Sequence, residues 1–505
     1  MSRPSFDVLT EPWIPVIQKD GSRNELGIQI CLEQAERILE IRHASPIVEF
    51  GLYRLLTAAT LDVFTWAEQR PELPEDLEGM IESGGFDADL IRQYLEECGD
   101  VFDLFHPEKP FLQTKMDSAR TKPLVAMYPA MPSGTNVGHW HHQAEDEVDV
   151  SAQQAAQWLV TIAPFMTAGG AGLSPSINGA PGIYVLPRGE SLFDTIVMNL
   201  PLRIEQESGG GAVAWRSSRI PGGERTQATA IEALTWQPRR IQLVPEKDKW
   251  GNIRVRRMKF EKGDRANPDL DWIDPNLAYR YGKEKRSPIR MREGRPLWRD
   301  AGPLVLLRST DHGQSERRVV FRRPDVVEQV FTSIARHGRL AIHAYGMRTD
   351  LKMKVFEWGR ARWDVPAKLG RSTRLGDLVH QELERAEVAV YTLRDQIRKL
   401  FPRDGAGRKE ALRSIADRCE RAYWQRLERG FAPLMSAFAE LDPDEAPNDP
   451  GLIAEAASEW RRTIERLALE QFECAAKDMD ADGGALERLV CARTRLTAKL
   501  RKVIS

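Results

Sequence analysis

A chain of 505 residues, 42% hydrophobic and 29% charged, can bury a sizeable core but is too long for a single one. Its formal net charge of −2 conceals a division: residues 1–238 carry −16, residues 239–362 carry +14, and residues 363–505 balance at zero. No apolar run reaches membrane-spanning length and Met1–Glu11 has no apolar signal core, so neither a membrane protein nor a secreted one is expected.

In chain order, Phe6–Ile17 reads as a strand interrupted by Pro12 and Pro15. Ile47–Trp66 predicts a helix, with Leu52, Leu55, Leu56, Ala59 and Val63 at helical spacing. Two loop-rich stretches follow, His106–Glu147 and Pro164–Gly189. The second holds Gly169, Gly170, Gly172, Gly179 and Gly182, too many for a helix or a central strand. Glu207–Glu224 is rich in glycine and serine and is expected to be mobile. Thr235–Val244 and Gly302–Leu307 read as strands.

The texture changes near Ser372, where four helical patterns begin: 372–400, 408–441, 449–477 and 484–504. The third aligns Ile453, Ala456, Ala457, Trp460, Ile464, Leu467, Ala468 and Phe472 on one face. The fourth aligns Leu486, Leu489, Val490, Arg493, Leu496, Leu500 and Val503. Short proline-bearing links such as Asp442–Pro450 suit antiparallel neighbours. The fold class is α+β: a large mixed α/β domain over 1–365, then a four-helix bundle over 366–505.

Chemistry finds few footholds. Cys31, Cys98, Cys419, Cys474 and Cys491 are scattered, with no Cys-x-x-Cys pair, which argues against a disulfide framework or a zinc knuckle and suits a reducing cytoplasm. His139-Trp140-His141-His142, followed by Glu145, Asp146 and Glu147, has metal-binding residue types. Adjacent His141 and His142 point apart on a helix or a strand, so an exposed polar loop is the plainer reading and no metal is assigned. Ala168–Ser174 has the glycine density of a phosphate loop without its Gly-Lys-Ser/Thr ending. It suits either bare backbone brought against a partner or a flexible surface turn. No nucleophile elbow, zincin or kinase signature occurs, so no enzyme and no cofactor are expected.

The cationic block is the strongest signal. Arg254, Arg256, Arg257 and Lys259 lead into Arg280, Lys283, Lys285, Arg286, Arg290, Arg292 and Arg295. Such density marks a surface for a polyanion, most often nucleic acid, and phosphate contacts alone confer no sequence choice. Trp272, Tyr279, Tyr281 and Trp298 are interleaved; they suit base stacking or, more simply, packing.

Several segments together resemble the large subunit of the type I-E CRISPR surveillance complex (Cascade), the CasA family. They are Phe6–Val16, His106–Lys115, Ser133–Asn136, Gly169–Gly189 with its Leu186-Pro187-Arg188-Gly189 end, Trp236-Gln237-Pro238, and Ala422–Arg426. The resemblance implies a non-catalytic subunit that recognises the protospacer-adjacent motif (PAM) in double-stranded DNA, opens the duplex, stabilises the R-loop and its displaced strand, and recruits a helicase-nuclease. Its partners would be the crRNA-containing Cascade subunits. By alignment, the family's glycine loop, which approaches the minor groove, falls on Gly169, Gly170 and Gly172. The groove-reaching lysine falls on Lys259, with Lys262 as the alternative. The strand-separating wedge falls after Tyr345–Arg348, at Thr349, Asp350, Leu351 and Lys352, where this chain lacks the polar amides associated with the family. Arg348 borders it. The rivals are a scaffold that docks RNA-bearing subunits without reading DNA, and a metal-dependent nuclease acting through His139–His142.

Overall fold

The computed structural model describes residues 3–117, 120–128, 148–169, 172–202, 211–282, 286–292, 294–307, 320–335, 337–349, 355–401, 408–478 and 484–504. The protein mixes helix and sheet and divides into two compact units. The first comprises residues 1–291, 324–334 and 341–362; the second comprises 292–323, 335–340 and 363–505. Among the described residues no helix is long and apolar enough to cross a membrane.

The first unit is built around helix Pro46–Trp66, with Pro46 in its first turn where a missing N–H costs nothing. The apolar spacing predicts this helix, and every residue from Ile47 to Val63 is buried. Its charged residues therefore need partners. Arg54 meets Asp274 at 2.8 Å, Asp62 meets Arg216 at 3.0 Å, and Glu49 meets Arg360 at 2.7 Å. Phe50 stacks on Tyr184 with centroids 4.5 Å apart.

The expected Phe6–Ile17 strand begins only at Ile14 and runs to Gln18. Asp7 explains the delay: its carboxylate accepts from Leu9 N at 3.0 Å and from Thr10 Oγ1 at 3.1 Å, closing a turn that competes with extension. Nor is the described part of 207–224 loose. Arg219 forks onto the buried Asp264, which also accepts from Gly222 N at 2.7 Å. Gly211 packs so closely on Thr229 that a Cβ would lie 2.0 Å from its hydroxyl. Sequence composition does not register such anchors.

A three-stranded sheet joins Tyr184–Arg188, Arg339–Thr349 and Val355–Pro366, the first two antiparallel with Tyr184 opposite Tyr345. His343 on this sheet is 3% exposed. Burial above all, then the cations Arg188, Arg360 and Arg362, hold its imidazole down to about 2. The unfolded chain takes up that proton below about pH 6.5 and the folded chain does not, so this contribution is complete above 6.5 and declines as pH falls toward 2. Going from pH 7.5 to 5 is expected to cost the native chain about 2 kcal/mol more than His343→Gln in urea unfolding. Identical pH slopes for the two proteins would contradict this.

In the second unit, Gly302–Leu307 is not a strand. Ala301–Val305 is a short helix in which Pro303 lies within the first turn and is tolerated. Helix Thr373–Leu400 is capped by Ser372, whose Oγ accepts from Leu375 N at 3.2 Å. The predicted 408–441 helix breaks into Arg408–Leu427 and Phe431–Glu440 around Gly430, where a Cβ would crowd the Trp460 ring at 3.1 Å. The predicted 449–477 helix likewise divides into Pro450–Ala456 and Ser458–Ala476. Trp460, Ile464, Leu467, Ala468 and Phe472 are buried as expected. On Ala485–Ile504 the buried seam is Ala492, Leu496 and Leu500, a strict four-residue step, which leaves Leu486, Val490 and Arg493 exposed. Trp298 is a packing residue, edge-on to Trp424 with centroids 5.7 Å apart.

Candidate nucleic-acid interface

A basic hairpin in the first unit frames the candidate site. Strands Arg239–Lys247 and Ile253–Lys262 pair antiparallel, with Arg239 opposite Lys262 and Gln242 opposite Lys259. Asp248 sets the turn by accepting from Trp250 N at 2.8 Å and Asn252 N at 2.9 Å, and Gly251 supplies the required positive φ of 87°. Inside the second strand Val255 and Met258 are buried, while its other edge pairs with Lys122–Pro123 and Val150–Ser151.

The two candidate lysines lie three positions apart and so occupy opposite faces of their strand. Lys259 is half-buried, and its ammonium donates to Met116 O at 2.5 Å. That acceptor is delivered by the 106–115 segment, which is tied to the hairpin through Thr114 N to Ile241 O at 2.9 Å and Leu243 N to Gln113 Oε1 at 2.7 Å. Lys262 is exposed and, among the described residues, meets no carboxylate. It reaches the glycine loop instead. A Cβ on Gly172 would lie 2.5 Å from Lys262 Nζ. Gly172 also has φ +76°, so a side chain there is strained whatever room the lysine yields.

The loop has a defined base. Ser176 N donates to Met166 O at 2.8 Å, and Ser176 Oγ donates to Ala163 O at 2.7 Å. Gly169 is half-buried; Gly170 lies outside the described residues. Farther along, Gly182 packs against Leu277, where a Cβ would lie at 2.7 Å, and so has a structural task. Ser174–Gly179 also walls an open cleft of about 800 Å³. Arg265 and Arg286 there are matched by Asp269 and Asp271, so the cleft offers no net cationic pull.

At the expected wedge, Arg348 is half-buried and its Nε lies 3.8 Å from Glu357 on the neighbouring strand. Thr349 ends the strand; Asp350, Leu351 and Lys352 lie outside the described residues, as do Ser133–Asn136 and the His139–His142 cluster. The strand continues past Tyr345, the partner of Tyr184, for four residues or roughly 13 Å. The strand therefore ends, at Thr349, on the side of the sheet where the glycine segment enters it.

Much of the cationic block is consumed internally. Arg254 and Arg256 both reach Asp149, at 2.8 and 3.2 Å, and Arg286 meets Asp271 at 2.7 Å. Arg295 and Arg299 share Glu387, at 2.7 and 2.6 Å. Tyr279 is buried, and Trp272 and Tyr281 are half-buried. Charge density in the sequence thus overstates the cations available to a partner.

One residue was passed over as an ordinary member of that block. Arg239 is among the most deeply buried large side chains, and its guanidinium donates to Thr167 O at 2.9 Å, to Pro238 O at 2.8 Å and to Ser174 O. With no carboxylate paired to it among the described residues, burial draws its pKa down to about 10, and it stays charged at neutral pH. No local spacing distinguishes it from its exposed neighbours.

The model of the CRISPR-associated protein Cse1 family matches residues 7–471. The Thermus thermophilus CRISPR-associated protein CasA/Cse1 is 27% identical over 521 aligned residues, covering 97% of this chain and 96% of that one. Among solved structures, Cse1 from Acidimicrobium ferrooxidans matches with a TM-score of 0.77 at 20% identity, over 100% of this chain and 99% of that one. A chain of a CRISPR RNA-guided surveillance complex matches with a TM-score of 0.73 at 18% identity, over 99% and 100%. These structural likenesses speak to the fold, while the family match runs through the glycine loop, the basic hairpin and the strand that ends at Thr349. The chain belongs to the CRISPR-associated protein Cse1 family.

Proposed function

We propose that this chain is the large, non-catalytic subunit of a crRNA-guided surveillance complex, and that it reads the PAM from the minor groove of duplex DNA. The observation that carries the reading is the approach of the Lys262 ammonium, which meets no carboxylate among the described residues, to Gly172 at φ +76°. The minor groove presents mainly acceptors, adenine N3 and thymine O2, with a guanine amino donor as the one distinguishing group. A lysine supplies donors to those acceptors, and a side-chain-free turn lets backbone N–H groups approach the base edges. Such a reader tolerates related motifs.

After recognition, the turn following Thr349 separates the first base pairs, and guide RNA captures the target strand. Exchange of one duplex for the other is nearly balanced, so a few kcal/mol of protein contact decides whether it starts. Residues 366–505 serve as a four-helix bundle that holds the displaced strand or neighbouring subunits. Strand cleavage belongs to a recruited helicase-nuclease, and the assembly works in the cytoplasm. The internal pairing of Arg254, Arg256 and Arg286 favours a second reading, in which the chain is a scaffold that docks RNA-bearing subunits.

Reconstitution separates the two. The assembly is prepared with and without this chain and offered fully matched duplexes with or without the PAM. PAM preference that appears only with the chain is expected; equal capture of both targets in its presence supports the scaffold.

A further inference from the structure

We infer that Arg239 is a positioning residue for PAM reading, holding the glycine loop in place so that Gly172 and Lys262 present one surface. The inference rests on the proposed DNA contact and adds a residue that touches no DNA. Three observations carry it. The guanidinium bridges the two arms of the loop, Thr167 O at 2.9 Å on one side and Ser174 O on the other, across the segment that contains Gly169 and Gly172. It also bonds to Pro238 O at 2.8 Å, so the bridge is fastened to the hairpin itself. And Arg239 lies directly opposite Lys262 in the strand register, so one pair of positions fixes both halves of the surface.

The chemistry suits that task. A planar fork directs donors from two separate nitrogens, Nη1 to Ser174 O and Pro238 O and Nη2 to Thr167 O, whereas lysine gathers its three donors on a single nitrogen. Charge-assisted bonds to carbonyls are stronger than neutral ones, which suits arms at Thr167 and Ser174 that lie outside any helix or strand. The site is also costly. Among the described residues, Arg239 Nε is buried with no hydrogen-bond partner and no carboxylate pairs with the guanidinium. Packing alone would be better served by an apolar side chain of the same volume. The Phe260 ring beneath the guanidinium, 5.8 Å from centroid to Cζ, gives the fork a flat seat on the strand that carries Lys262.

The test uses the assembled complex carrying Arg239→Met or Arg239→Lys, with three targets: a matched duplex with the PAM, the same duplex without it, and a matched target whose first base pairs are pre-opened. Hydrogen exchange across residues 166–176 is measured alongside. The expected result is a fall of about tenfold or more in PAM preference, the scale of one or two lost hydrogen bonds to charged groups. Exchange within 166–176 should quicken, while affinity for the pre-opened target stays within about twofold of native, since that target bypasses PAM reading. If Arg239→Met fails to fold, Arg239→Lys carries the same comparison. Native PAM preference retained by the folded variant overturns the inference and leaves the DNA reading standing. Absence of PAM preference in the native complex overturns both.

Discussion

Lys262→Ala in the assembled complex should weaken binding to a PAM-bearing duplex by about tenfold and lower the slope of log K against log salt by about one. The expectation follows from what the ammonium lacks. Among the described residues no carboxylate meets it, so its charge is free for phosphate or groove acceptors, and it already lies against the loop that would share them. Lys259→Ala is the internal control. That ammonium is committed to Met116 O, so its loss should lower stability by about 1 kcal/mol and leave the salt slope unchanged. Fluorescence anisotropy over a salt series distinguishes the two. A slope that changes with Lys259 and not with Lys262 would reverse the assignment of the lysines.

Glu49→Ala carries the largest expected effect on stability, a loss of about 3 kcal/mol or more in chemical unfolding. The carboxylate is fully buried and accepts from Arg360 Nη1 at 2.7 Å to each oxygen, from Tyr345 OH at 2.8 Å and from His43 N at 3.0 Å. Removal takes the carboxylate from the Arg360 guanidinium and leaves the Tyr345 hydroxyl with the His343 ring, 3.2 Å away. Arg360 keeps some access to water, its side chain being 22% exposed, which moderates the cost. Adding Arg360→Met should recover part of it, because the two residues act as one unit. Tyr345 lies on the strand that ends at Thr349, so the loosened network should also slow duplex opening. A change under about 1 kcal/mol would show that the network is not holding that strand.

Some of this was legible from the chain alone. The helix expected over Ile47–Trp66 declares itself by Leu52, Leu55, Leu56, Ala59 and Val63 at helical spacing. Its burial on every side does not, because the partners of Glu49, Arg54 and Asp62 come from Arg360, Asp274 and Arg216, far along the sequence. The last helix is found as expected, over Ala485–Ile504, but its buried face differs for a related reason. Leu496 and Leu500 are buried as their spacing suggests, but Ala492 completes the seam while Leu486 and Val490 stay exposed. Composition located the basic hairpin without showing which of its cations are spent on Asp149, Asp271 and Glu387. Lys259 and Lys262 are equivalent as sequence. Strand alternation and the arrival of Met116 from another segment separate them. Arg239 was least visible of all, since its partners are backbone carbonyls, which leave no trace in side-chain pattern.

The most direct measurement is proximity crosslinking from Lys262→Cys. The assembled complex is offered a matched duplex with a thiol-reactive tether in the minor groove of the PAM, beside a second duplex with the tether moved about ten base pairs, or one helical turn, away. Native chain, with exposed Cys474 and Cys491, sets the background. Rapid crosslinking to the cysteine at 262 is expected with the PAM tether, and little above background with the displaced one. Equal yields at both positions, or none above background at the PAM, would contradict a glycine loop and lysine that meet the groove together.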